Sequence, residues 1–147
     1  ISEEIMLEKI PKILSPDLLK VLCEMGLGDE IVIADGNFPA ASNAHVLIRA
    51  DGTNTCDMLD AVLEVYPLDQ YDSNNFVLMQ KCSGDRADTS IWKSYEAILS
   101  KYEPDAEMSF EERFDFYERA KKAYAIIATG EEKQYANIIL KKGCVLP

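Results

Sequence analysis

Few residues in this chain have both the chemistry and the setting to act on a ligand, and they are scattered along its length. Asp35 follows an apolar run and stands beside Gly36, Asn37, Phe38 and Pro39, which shape a tight turn. A carboxylate there can accept hydrogen bonds from hydroxyl groups or serve as a base; it can equally bond its own turn backbone. Arg113 and Tyr117 are four apart, so on a helix they share one face. A guanidinium offers a rigid fork of donors, and a tyrosine offers a hydroxyl above an apolar ring; both suit a polyhydroxyl ligand. The competing reading is an exposed arginine paired with nearby glutamates and a tyrosine packed in the core. Tyr135-Ala136-Asn137 separates a glutamate-rich turn from an apolar run. Its phenol and amide can each donate and accept, although turn chemistry at a strand start explains them as well. The single histidine, His45, opens an apolar segment and is assigned no role.

The elements that must hold these groups follow from the pattern. Ser15 caps a helix with Pro16 at its first position and Asp17 in its first turn. Leu18, Leu19, Leu22 and Met25 give it a core face, and Gly26 is expected to end it in a left-handed conformation. Residues 30–34 form a buried, β-branched strand. Residues 46–49, 76–79, 124–129 and 137–140 are further strands. Helices are expected around Met58–Tyr66, capped by Thr55, and over 91–102 and 111–122, with a surface loop at 101–107. Helices alternate loosely with strands, and strands follow one another in two places. This predicts an α/β fold, a single-domain mixed sheet covered by helices on both faces. In such sheets ligands usually sit beyond the carboxyl ends of strands, where Asp35 stands.

Size and charge narrow the partners. A chain of 147 residues with 48% hydrophobic residues fits one domain with a real core. Residues 6–147 are assigned to it, and residues 1–5 are expected to be a leader or cloning remnant, with Met6 as the natural start. A net charge of −11 repels phosphate backbones and anionic lipid, so neither nucleic acid nor a membrane is an expected partner. Cys23, Cys56, Cys82 and Cys144 are widely separated, and with one histidine they give almost no material for a zinc site. No metal or cofactor is expected. Isolated thiols fit a reduced, cytoplasmic protein, and no run approaches the roughly 20 apolar residues of a membrane span.

Taken in order, the motifs resemble a known family. Residues 10–26 (IPKILSPDLLKVLCEMG), 28–40 (GDEIVIADGNFPA), 49–52 (RADG), 113–120 (RFDFYERA), 129–131 (TGE) and 135–143 (YANIILKKG) are similar to the fucose mutarotase and ribose pyranase family, collinearly over about 6–143. The resemblance implies interconversion of the α and β anomers of a free monosaccharide, L-fucose above all. It also implies a homo-oligomer, often a ring-like decamer, with sites near subunit boundaries. Asp35, Arg113, Tyr135 and Asn137 match sugar-binding positions, with Ala136 between the last two, and Tyr117 and Tyr135 match tyrosines of proton transfer. The ribose branch tends to carry histidine at the position of Arg113, which favours fucose or a similar deoxy or hexose sugar. One departure matters: the family's Gly-His-Gly-Asp is here Gly26-Leu27-Gly28-Asp29. The resemblance makes position 27 part of the site and its histidine the proton donor; leucine cannot transfer a proton. Ala40-Ala41 and Asp115 are smaller departures.

Mutarotation needs a base at the anomeric hydroxyl and an acid at the ring oxygen, with the roles reversed on closure. Three readings follow: a mutarotase using Tyr117, Tyr135 or Asp35 in place of the histidine; a sugar-binding or regulatory protein without turnover; or an α/β domain whose motifs serve packing alone.

Overall fold

The computed structural model describes residues 7–147, so the expectation for residues 1–5 lies outside the described residues. Among the described residues, five helices and six strands follow in the order α1 (Pro16–Glu24), β1 (Glu30–Ala34), α2 (Ala40–Asn43), β2 (Leu47–Ala50), α3 (Thr55–Val65), β3 (Phe76–Met79), α4 (Ile91–Tyr102), β4 (Ser109–Glu111), α5 (Arg113–Lys122), β5 (Ala125–Thr129) and β6 (Ile138–Lys141). The strands form one sheet in the order β2-β5-β1-β6-β3-β4. Only β6 runs against its neighbours, pairing antiparallel with β1 and β3, so the sheet is mixed. The start of β6 therefore lies at the same edge as the ends of β1 and β3.

Successive side chains of a strand point to opposite faces, and the apolar strands fill two cores accordingly. Ile31, Ile33, Phe76, Leu78, Ile127, Ile138 and Leu140 pack with α1, α3 and α4. Val32, Ala34, Val77, Ile126 and Ile139 pack on the other face with Phe38, Ala40, Phe116 and Ala120 from α2, α5 and the turn before α2. Strands buried on both faces need continuous apolar runs, which is why β1 and β5 lack polar alternation.

Several boundaries differ from the sequence expectation. Ser15 does cap α1, its hydroxyl accepting from the Leu18 N–H. That helix ends at Glu24 through an extended Met25 rather than through a left-handed Gly26; the positive φ, 88°, belongs to Gly28. The cap of α3 is Asn54, whose side chain accepts from the Asp57 N–H, and not Thr55. Thr55 is buried instead, with its hydroxyl 2.9 Å from Glu131 Oε1. The α5 helix begins at Arg113 because Glu111 completes β4, a three-residue edge strand too short to show a period in sequence. A single helical turn, α2, replaces the end of the turn after Asp35. His45 precedes β2 rather than opening it. All four cysteines are free thiols. Among the described residues, no helix is long and apolar enough to cross a membrane.

Candidate active site

The edge of the sheet where β1 and β3 end and β6 begins holds a cavity of about 510 Å³. Its lining includes Asp35, Phe38, Asp85, Arg113, Tyr117, Tyr135 and Asn137. Five residues singled out from sequence thus converge from three distant stretches of chain. The volume falls within the roughly 300–1,000 Å³ usual for small-molecule sites.

Asp35 is the deepest of these groups, only 5% exposed. The last residue of β1 delivers it, and its carboxylate folds back to accept from the backbone N–H of Asn37 at 3.0 Å. Burial pushes the Asp35 carboxyl up from its ordinary value, while the backbone N–H groups of Asn37, Ala136 and Phe38 pull it back down. Both sequence readings of Asp35 therefore apply: it bonds its own turn, and it faces the cavity. Its backbone N–H in turn donates to Asn137 Oδ1 at 2.7 Å. That bond fixes the amide with Oδ1 toward the backbone, so Asn137 brings its Nδ2 donors, besides the second lone pair of Oδ1, to a ligand.

The neighbouring segment is held from behind by α4. Tyr135 has φ 56°, a left-handed conformation that costs a residue with a Cβ roughly 1–2 kcal/mol. Two side chains one turn apart on α4 hold it there. Trp92 Nε1 donates to the Tyr135 carbonyl at 2.7 Å, and the Tyr95 hydroxyl bonds the Ala136 carbonyl at 2.7 Å. Ala136 contributes no side-chain chemistry; it is fully buried and acts through its backbone, the N–H on Asp35 and the carbonyl on Tyr95. The Tyr135 hydroxyl donates to Asp85 Oδ2 at 2.5 Å and accepts from the Cys82 N–H at 3.1 Å. The Asp85 carboxylate pushes the phenol up to about 12, so Tyr135 stays protonated at neutral pH.

On the other wall, Arg113 opens α5 and its Nε donates to the Tyr117 hydroxyl at 3.3 Å. It pairs with neither Glu118, which holds Lys121, nor Glu112, which caps the helix. The Tyr117 ring meets Phe38 edge to face at 5.5 Å, giving the cavity an apolar flank beside its donors.

Gly130 keeps the loops of this edge together. A Cβ there would stand 2.1 Å from the Asp51 carbonyl oxygen, so only glycine lets the loop after β5 pass the loop after β2.

Leu27 is not in this cavity. It precedes β1, whereas Asp35 follows it, and five strand residues at about 3.3 Å each put roughly 17 Å between the two ends. The leucine is 55% exposed at the opposite edge. A larger hollow of about 760 Å³ opens on that side, lined by Glu30, His45, Arg119 and Lys141 among others. Two of its cations are held in ion pairs: Arg119 holds Glu30 at 2.6 Å and Glu111 at 2.8 Å, and Lys141 holds Asp72 at 2.6 Å. None of Asp35, Arg113, Tyr117, Tyr135 and Asn137 lines it, and its size does not make it the site.

Asp85, Cys82 and Phe38 escaped the sequence reading as site residues. Phe38 lay within the noted turn, but nothing marked which way its ring would point. Asp85 follows Gly84 in a polar loop and looks like any turn residue until Tyr135 is placed beside it.

Known proteins resemble the chain over nearly all of its length. The chain matches the RbsD / FucU transport protein family over residues 8–145. It is 48% identical over 145 residues to the fucose mutarotase of Mus musculus, covering 95% of each chain. It is 47% identical over 139 residues to the L-fucose mutarotase of Glaesserella parasuis serovar 5 (strain SH0165), covering 94% of this chain and 95% of that one. Among solved structures, the fucose mutarotase of Streptococcus pneumoniae in complex with L-fucose superposes with a TM-score of 0.89 at 51% identity, covering 95% of this chain and 100% of the other. The chain belongs to the RbsD / FucU transport protein family.

Proposed function

We propose that this chain is an L-fucose mutarotase, an isomerase that speeds exchange between the α and β anomers of the free sugar. The observation that carries this reading is the convergence of Asp35, Arg113, Tyr117, Tyr135 and Asn137 on one cavity that can admit a monosaccharide. Relatives of nearly full coverage bear the name fucose mutarotase, and one of the structural neighbours holds L-fucose. Asp35 accepts from a sugar hydroxyl, Arg113 and Asn137 Nδ2 donate to ring substituents, and the Phe38 and Tyr117 rings lie against the apolar face of the sugar. Asp35, Tyr117 and Tyr135 are the groups able to take the proton from the anomeric oxygen and give one to the ring oxygen. The anomeric carbon then carries an aldehyde that turns and is closed on its other face.

The histidine that the resemblance implies at position 27, where this chain carries Leu27, gives a second reading its weight. A positioned acid typically contributes about 10²–10⁴-fold, so turnover is reduced by that order against a histidine-bearing relative, and in the limit the chain is a sugar-binding protein. One chain's residue 27 is roughly 17 Å from its own cavity by strand length. It joins a site only across a subunit boundary, in the homo-oligomer that we also propose. Saturation-transfer NMR on a mixture of L-fucose anomers separates the readings. Magnetisation exchanged faster than in buffer supports the mutarotase. Fucose-dependent thermal stabilisation without faster exchange supports the binding protein.

A further inference from the structure

The two tyrosines of the cavity differ in the charge that each one touches. The Tyr117 oxygen receives an N–H from Arg113, so its own proton is free to be given away. The Tyr135 oxygen has its proton committed to the Asp85 carboxylate and receives the Cys82 N–H on a lone pair. What it has left for a ligand is an acceptor direction. Hydrogen-bond partners thus give the two phenols opposite polarity, one a donor beside a cation and the other an acceptor backed by an anion.

We propose that Asp85 is a positioning residue of the anomer exchange, which orients Tyr135 as the proton acceptor at the anomeric hydroxyl and takes up the proton that Tyr135 passes on. This rests on the mutarotase reading and extends it to a loop residue that the motifs do not mark. In the opening step the anomeric O–H proton moves to the Tyr135 oxygen as the Tyr135 proton moves to Asp85. The electron pair of that O–H bond becomes the second bond of the aldehyde. The bond from the anomeric carbon to the ring oxygen breaks with its pair on oxygen, and that oxygen takes the Tyr117 proton. The phenolate left behind faces the Arg113 guanidinium. On closure each proton retraces its path after the aldehyde has turned, so no proton, electron or co-reactant is consumed.

Two further features fit the assignment. Asp85 reaches the phenol from an exposed loop, and the carboxylate is held below the usual range chiefly by the Tyr135 hydroxyl, with the Ala87 N–H contributing. The strained backbone at Tyr135 is braced independently by Trp92, so Asp85 is not needed to hold the backbone in place.

The test compares wild type, Asp85→Asn, Asp85→Glu, Tyr135→Phe and the Asp85→Asn/Tyr135→Phe double variant by exchange NMR on L-fucose, with thermal unfolding as the fold check. Asp85→Asn is expected to lower the maximal exchange rate about 10²-fold while half-saturation by fucose changes less than threefold. Asp85→Glu is expected to recover part of the rate, and the double variant to be no slower than Tyr135→Phe, because residues acting as one unit do not add. A folded Asp85→Asn with the wild-type rate overturns the proposal, as does a double variant that loses the product of both single effects. If wild type binds fucose without speeding exchange, the mutarotase reading itself fails, and this proposal with it.

Discussion

Tyr95 touches no ligand-facing atom, yet its hydroxyl should set how firmly the site is held. The side chain is fully buried on α4, with its hydroxyl 2.7 Å from the Ala136 carbonyl and 2.5 Å from Thr55 Oγ1. Tyr95→Phe keeps the ring and its packing and removes only that oxygen. The Ala136 carbonyl then loses its buried donor, an unsatisfied group worth about 1–3 kcal/mol. For a domain near this size each kcal/mol moves Tm by roughly 2–4 °C, so the variant should melt about 2–12 °C lower. The same peptide segment presents the Ala136 N–H to Asp35, and a shift of about 1 Å at a reacting group can cost on the order of 10²-fold. Thermal unfolding and fucose exchange NMR on one preparation measure both effects. A variant with unchanged Tm and unchanged rate would refute the bracing argument. A lowered Tm with full activity would confine the hydroxyl to stability.

Other expectations follow from the same geometry. Asp35→Asn should slow exchange at least 10²-fold while leaving Tm at pH 7 equal or higher. Burial raises the folded pKa of Asp35, so its stabilising effect is present below the ordinary value of about 3.9 and is lost as pH rises through the folded value. At neutral pH the wild type carries a desolvated charge that asparagine lacks, so a marked drop in Tm would contradict this. Arg119→Ala should destabilise by about 3 kcal/mol, seen as a lower urea midpoint, because it takes the cation from Glu111 and leaves Glu30 only the longer contact to Lys141 at 3.8 Å. A cost under about 1 kcal/mol would reduce that cluster to an ordinary surface pair. Leu27→His should raise exchange in the assembled protein and leave a dissociated, dilute protein unchanged, which activity against concentration would reveal. A gain that persists in monomers would contradict the strand-length argument.

Much of the fold was legible because β1, β3, β5 and β6 are apolar on both faces and α1, α3 and α4 keep a helical period. What escaped was short or set by tertiary contact. The α2 and β4 elements are too brief to show a period, and the cap of α3, read as Thr55, is Asn54 because Glu131 engages Thr55 in the fold. The site was legible residue by residue, as Asp35, Arg113, Tyr117, Tyr135 and Asn137. The antiparallel β6 that brings its Tyr135 end to the Asp35 edge was not, because strand order leaves no trace in local sequence. Asp85 was hidden for the same reason: its partner is 50 residues away.

The most direct test of the account is the rate of L-fucose anomer exchange at saturating sugar, measured side by side for wild type and Arg113→Ala. The account predicts exchange well above the buffer rate in wild type, and its loss together with fucose-dependent thermal stabilisation when the guanidinium at the cavity wall is removed. Wild-type exchange at the buffer rate, or full activity without Arg113, would contradict it.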